Sequence, residues 1–322
     1  MVQDFRQGGN GVRARVIHGL SRVFVRPTLT FWPLRGPLAP LLRPVMHVLD
    51  LMFRFVPRLP GTRTRKVADS GWCGELVEPV DGPTAAGAIV YLHGGAFVFC
   101  GLATHRRIVE RLALRTGLPV LSVDYRQHPR GRLDDSMEDV AAAVRWLHAE
   151  GIGVDSTVFI GDSAGGFLAF ALALEAPKRG IARPIGVIGL SAWLDLAHEV
   201  KLAHRNARSD VFLPAGRFAQ IALLMAGDAQ GVIDPLRSPV NGELAQLPPA
   251  LLICAEDEVL RADAEVMSER LLAAGVEHRL QVWQGQVHAF PVLGNLLPES
   301  RAAIEEIAEF IRTLERPSRA TG

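Results

Sequence analysis

Val158-Phe159-Ile160-Gly161-Asp162-Ser163-Ala164-Gly165-Gly166 is the stretch from which the rest of the chain can be read. Three apolar, β-prone residues run into a Gly-Asp-Ser-Ala-Gly turn, and Phe167, Leu168, Ala169, Phe170, Leu172 and Leu174 then continue as a helix. Strand, sharp turn and helix in that order place Ser163 at the carboxyl edge of a sheet and at the amino end of a helix. Glycines two positions before and after the serine keep a Cβ out of the space where strand and helix pass. At that position the N–H of Ala164 and the positive end of the helix dipole stabilise a developing oxyanion. Ser163 therefore reads as a nucleophile; the plainer alternative is a glycine-rich turn with an incidental serine.

Upstream, Ala88-Ile89-Val90-Tyr91-Leu92 is an unbroken apolar run and reads as a buried strand. It ends in His93-Gly94-Gly95-Ala96-Phe97, where poorly shielded N–H groups at Gly94, Gly95 and Ala96 are candidate oxyanion donors beside Ala164. His93 is expected to orient this loop through a hydrogen bond. Before it, residues 67–80 read as opening antiparallel strands. After it come a helix over 104–115, a strand over 118–123 and a helix over 136–151 with Ser136 as N-cap.

Beyond the serine helix lie a strand over 185–190 and a partly helical insertion over about 196–236, a candidate cap. Pro248-Pro249 then precedes a strand over 250–254, with Glu256, Asp257 and Glu258 directly after it. A helix over 262–274 ending at Gly275, a strand over 278–283, His288 and a closing helix over 300–314 complete the chain. Alternation of strands and helices predicts an α/β fold: a mostly parallel sheet covered on both faces, with its chemistry at the carboxyl ends of the strands.

The 322 residues are 48% apolar with a formal net charge of +1. That is an ordinary globular composition, which gives no reason to expect nucleic acid as a partner. Cys73, Cys100 and Cys254 are scattered and form no CxxC pair, so neither a disulfide framework nor a zinc site is expected. The first twenty residues have no continuous apolar core of a secretory signal, and a cytoplasmic location is the expectation.

Residues 1–66 differ from the rest. Arg6, Arg13, Arg15, Arg22, Arg26, Arg35, Arg43, Arg54, Arg58, Arg63, Arg65 and Lys66 face only Asp4 and Asp50. Leu38, Leu41, Leu42, Val45, Leu49, Met52, Phe53 and Val56 recur at helical spacing, interrupted by Arg43, Pro44, His47, Asp50 and Arg54, too often for a membrane span. This N-terminal basic, amphipathic arm is expected to be a cap component that governs access more than folding, because the catalytic strands are read beyond residue 80. Weak contact with an anionic membrane surface is the functional alternative. The remainder, 67–322, is read as the catalytic domain.

The motifs taken together resemble the hormone-sensitive-lipase-like branch of bacterial carboxylesterases on the α/β-hydrolase fold. The matching pieces are His93-Gly94-Gly95-Ala96-Phe97, Asp124-Tyr125-Arg126, Gly161 to Gly166, Ser238-Pro239, Leu247-Pro248-Pro249, Glu258-Val259-Leu260, Ala274-Gly275-Val276 and His288-Ala289-Phe290. Two departures stand out: Ala96 replaces a third glycine, and Gln127-His128-Pro129-Arg130 replaces the family's usual loop. The resemblance implies a serine esterase that needs neither metal nor cofactor, with Ser163 as nucleophile, His288 as base and a carboxylate to orient it. Aligning residues 255–261 with the family's Ala-Glu-Tyr-Asp-Pro-Leu-Arg puts Glu258 in the acid's place, while Asp257 and Asp195 remain alternatives. The expected substrate is a small apolar ester with a short or medium acyl chain. Lactonase, amidase and acyltransferase activities, or a non-catalytic ligand-binding role, are the rival readings. The oligomeric state stays open, a homodimer included.

Overall fold

The computed structural model describes residues 2–5, 11–69, 71–84 and 86–314, except for the side chains at 2–5, 40–44, 46, 47 and 49. Arg6 lies outside the described residues, as do the side chains of Asp4, Leu41, Leu42, Arg43, Pro44, His47 and Leu49. Nine strands form one sheet: β1 (Val2–Phe5), β2 (Thr62–Asp69), β3 (Trp72–Pro79), β4 (Ala88–Leu92), β5 (Val120–Asp124), β6 (Thr157–Asp162), β7 (Gly186–Leu190), β8 (Ala250–Ala255) and β9 (His278–Trp283). Their spatial order is β1-β9-β8-β7-β6-β4-β5-β3-β2, and only the β2·β3 and β3·β5 pairings are antiparallel.

The helices are α1 (Val12–Leu20), α2 (Arg26–Phe31), α3 (Leu38–Arg54), α4 (Leu102–Thr116), α5 (Leu133–Ala149), α6 (Ala164–Glu175), α7 (Glu199–Ala203), α8 (Asn206–Ser209), α9 (Phe218–Ala226), α10 (Arg261–Ala273) and α11 (Pro298–Leu314). Alternate residues of each central strand feed opposite cores. Ala88, Val90 and Leu92 of β4 join Met137, Val140 and Val144 of α5 and Met267 of α10 on one face. Ile89 and Tyr91 join Ile108 and Leu112 of α4 and Ile304 and Ile307 of α11 on the other. Because both faces are covered, these strands read as continuous apolar runs.

Three expectations need correction. The arm is not wholly outside the sheet: β1 pairs in parallel with β9, Val2 opposite Leu280, and β2 runs through residue 66. Helix α5 begins at Leu133, three residues before Ser136, because the Asp135 carboxylate accepts the Arg132 N–H at 2.9 Å and closes the first turn. Ser136 is therefore inside the helix, and its hydroxyl donates to the Arg126 carbonyl at 2.6 Å.

The insertion after β7 is tied down by a buried ion pair. Lys201 of α7 is fully buried, 2.8 Å from Asp263 Oδ1 of α10, and its ammonium also donates to the carbonyls of Asp195 and Ala197. Asp263 Oδ2 accepts the N–H groups of Leu194 and Asp195. Burial pushes the Asp263 carboxyl above its ordinary pKa, against the opposing pull of the lysine. Lys201→Ala would strand that carboxylate, so urea unfolding should show a loss of about 3–5 kcal/mol. A loss under about 1 kcal/mol would mean that the pair does not hold the insertion.

Candidate active site

Ser163 sits between β6 and α6 with φ 51° and ψ −117°, a conformation that costs free energy in a non-glycine residue and is held by its surroundings. Its N–H donates to the Leu190 carbonyl at 2.9 Å, and its own carbonyl accepts the Trp193 N–H at 3.0 Å. The flanking glycines are required sterically. A Cβ on Gly161 would meet the Gly165 carbonyl oxygen at 2.2 Å, and one on Gly165 would meet the Leu92 oxygen at 1.9 Å. Among the described residues no hydrogen bond engages the Ser163 hydroxyl.

His288 follows β9 and Glu258 follows β8, so both lie at the carboxyl edge that also carries Ser163. The His288 Nδ1–H donates to Glu258 Oε2 at 2.7 Å, and Glu258 Oε1 accepts the Ala255 N–H at 2.9 Å. This bond fixes the proton on Nδ1 and leaves Nε2 as the basic nitrogen. Burial opposes protonation of His288, but the hydrogen bond and charge of Glu258 outweigh it, aided by Asp210 and Asp162, and its pKa lies above the ordinary histidine value. Asp257 is exposed. Asp195 Oδ1 instead accepts the Ala197 N–H within its own loop.

The donor set departs from expectation at one position. The Gly94 N–H donates to Asp162 Oδ1 at 3.0 Å and so is not available to a substrate. Gly95, Ala96 and Ala164 have no acceptor for their N–H groups among the described residues. Gly95 and Ala96 both take positive φ, 117° and 54°, and the Ala96 Cβ occupies space that a third glycine would leave open.

Asp162 acts as the acceptor that holds this loop to the elbow. Besides Gly94 it accepts the Tyr91 hydroxyl at 2.8 Å, and His105 Nε2 lies 3.2 Å from its other oxygen. Burial opposes both charges, yet each offsets that cost for the other: the His105 pKa is raised and that of Asp162 lowered. His93 bonds the Gly94 carbonyl through Nδ1 at 2.8 Å and stacks on Tyr125 at 4.5 Å between centroids.

Four supporting residues were not legible from local pattern. Ser191, with φ 49°, accepts the Ala289 N–H at 2.9 Å and so ties the His288 loop to β7 beside the elbow. Asn206 donates to the carbonyls of Glu256 and Glu258, and Asp210 accepts the Val259 N–H at 2.8 Å along with those of Phe212 and Leu213. The Phe212 ring lies 5.4 Å from that of His288. The insertion thus clamps the acid loop and walls the base; its partners are some fifty residues away, beyond any spacing rule. A separate cavity of about 600 Å³, lined by Arg35, His128, Arg132 and Leu223 among others, contains none of Ser163, Glu258 or His288.

A family profile described as the alpha/beta hydrolase fold matches residues 89–292. The chain is 38% identical to the esterase LipU of Mycobacterium tuberculosis over 79% of its own length and 84% of LipU. It is 34% identical to the carboxylesterase/phospholipase LipF of the same organism, over 96% of its length and 84% of LipF. The crystal structure of an esterase from the bacterial hormone-sensitive lipase family superposes with a TM-score of 0.81 at 29% identity, covering 95% of this chain and 99% of that one. The chain belongs to the α/β-hydrolase family, in its bacterial hormone-sensitive-lipase branch. It is a carboxylic ester hydrolase.

Proposed function

We propose that the chain hydrolyses small apolar esters with short or medium acyl chains through Ser163, His288 and Glu258. The observation that carries this reading is the 2.7 Å bond from His288 Nδ1 to Glu258 Oε2, at the same sheet edge as the strained Ser163 elbow. Ser163 Oγ attacks the ester carbonyl while His288 Nε2 takes its proton. The carbonyl oxygen becomes an oxyanion held by the N–H groups of Gly95, Ala96 and Ala164. His288 then returns the proton to the departing alkoxide, leaving an acyl-enzyme that water opens by the same steps. One such N–H donor is worth about 3–4 kcal/mol in the transition state. Glu258 keeps the imidazole in the required tautomer and stabilises its charged form.

Chain-length selection is assigned to the cap formed by the arm and the insertion. Trp32 packs edge-on against Phe99 at 5.3 Å, Arg26 donates to the Leu213 carbonyl at 3.3 Å, and Phe212 stands over His288. The rings of Trp32, Phe99 and Phe212 favour an apolar acyl chain against them.

The test is a panel of p-nitrophenyl esters of rising chain length set beside matched anilides, lactones and, because LipF carries the name phospholipase, a phosphatidylcholine. The largest kcat/KM is expected on short or medium esters. A larger value on lactone or anilide would transfer the assignment to that chemistry.

A further inference from the structure

Fourteen of the twenty-three exposed large apolar side chains among the described residues lie between positions 12 and 56. On α3, Leu38, Val45, Val48 and Met52, continued by Phe55 at the C-cap, recur at helical spacing and make one outward stripe; Phe55 is 82% exposed. The other side of α3 is pinned to the body of the protein. Asp50 Oδ1 accepts the N–H groups of Ala103 (2.9 Å) and Thr104 (3.0 Å) at the start of α4, and Ala39 is buried. This helix is held down by a carboxylate and presents its hydrocarbon to solvent, the reverse of an ordinary surface helix.

The run from α1 to α2 repeats the pattern. Val12, Val16, Leu20, Val23, Phe24 and Phe31 are exposed, while Ala14 and Ser21 are buried on the opposite side. Arg13, Arg15 and Arg22 stand exposed around this stripe with no acidic partner among the described residues. The sequence has no Asp or Glu between positions 5 and 49.

We propose that the arm docks on the surface of an anionic phospholipid bilayer, with the apolar stripes entering the headgroup boundary and the arginines pairing with lipid phosphates. Buried hydrocarbon and attraction to anionic lipid are the two contributions that hold amphipathic helices at such an interface. No helix among the described residues is long and apolar enough to cross the membrane, so the arm lies on it. A second copy of the chain is a poor occupant, because two such faces would bring arginines against arginines with no acid between them. This inference does not depend on the ester-cleavage reading, and its test reads binding rather than turnover.

The full-length protein is sedimented with vesicles of phosphatidylcholine alone or of phosphatidylcholine mixed with phosphatidylglycerol. Pelleting is expected with the mixed vesicles only and should weaken as salt rises. Val48→Glu/Met52→Glu/Phe55→Glu and, separately, Arg13→Gln/Arg15→Gln/Arg22→Gln should each lower the bound fraction about tenfold. The arginine variant keeps the test decisive if the first set fails to fold, since its three positions are exposed and have no ion-pair partner among the described residues. Wild-type protein that stays in the supernatant, or variants that pellet as well as wild type, would overturn the proposal. So would vesicle binding untouched by the apolar substitutions while a dimer seen by sedimentation velocity becomes a monomer, which would give this face to a second copy.

Discussion

Ser163→Ala is expected to lower kcat by about six orders of magnitude, the scale seen when the nucleophile of a serine hydrolase is removed. The variant should fold, because Ser163 holds its neighbours through backbone groups: its N–H to Leu190 and its carbonyl to Trp193. Its hydroxyl makes no hydrogen bond among the described residues, so little stability is lost with it. In the wild type an organophosphate should add a single adduct, located on Ser163 by peptide mass. An adduct elsewhere, or an active Ser163→Ala protein, would remove the covalent mechanism.

Glu258→Gln should cut kcat by about four orders of magnitude, because an amide in this place favours the wrong imidazole tautomer. A second readout separates this from simple misfolding. Burial works to lower the His288 pKa, and Glu258 more than reverses it. The acid limb of kcat/KM reports the free base, so in the wild type it should lie above the ordinary histidine value of about 6.5. Loss of the carboxylate charge removes the main influence that raises the pKa, leaving only Asp210 and Asp162 against burial, and the limb should move to lower pH. Asp257→Asn, at an exposed position, should leave both rate and limb near wild type. A reversed ranking would transfer the orienting role to Asp257, and two mild effects would turn attention to Asp195.

Much of this site was legible because its signals are local. Ser163 is announced by a strand, a turn crowded with glycine and a helix, and the atoms that a Cβ would strike at Gly161 and Gly165 explain why no other residue serves. Strand β4 ends where its apolar run ends, since burial on both faces leaves no polar position to blur the boundary. What failed is long-range. Which N–H of the His-Gly-Gly-Ala loop is free depends on Asp162, sixty-eight residues away from Gly94. Asn206 and Asp210 sit in an insertion without periodicity, and their role is set by carbonyl and N–H groups of the acid loop. Strand β1 is four residues of mixed polarity and carries no period that would mark it. At helix α5 two N-cap positions compete, Arg132 and Ser136, and the carboxylate of Asp135, which closes the first, wins over the hydroxyl of Ser136.

The pairing of β1 with β9 also sets a timetable. Val2 lies beside Leu280 and Phe5 beside Trp283, so β1 must wait for β9 to be made before it can join the sheet. Closing so long a loop brings its entropy cost before any reward, and contacts of this separation form late. The neighbouring strands β4 to β8 can assemble meanwhile, each against a partner already made. During synthesis β1 therefore stays unpaired, while α3 and β2 can already settle on α4 and β3, and β1 is secured only once the stretch leading to the base has emerged.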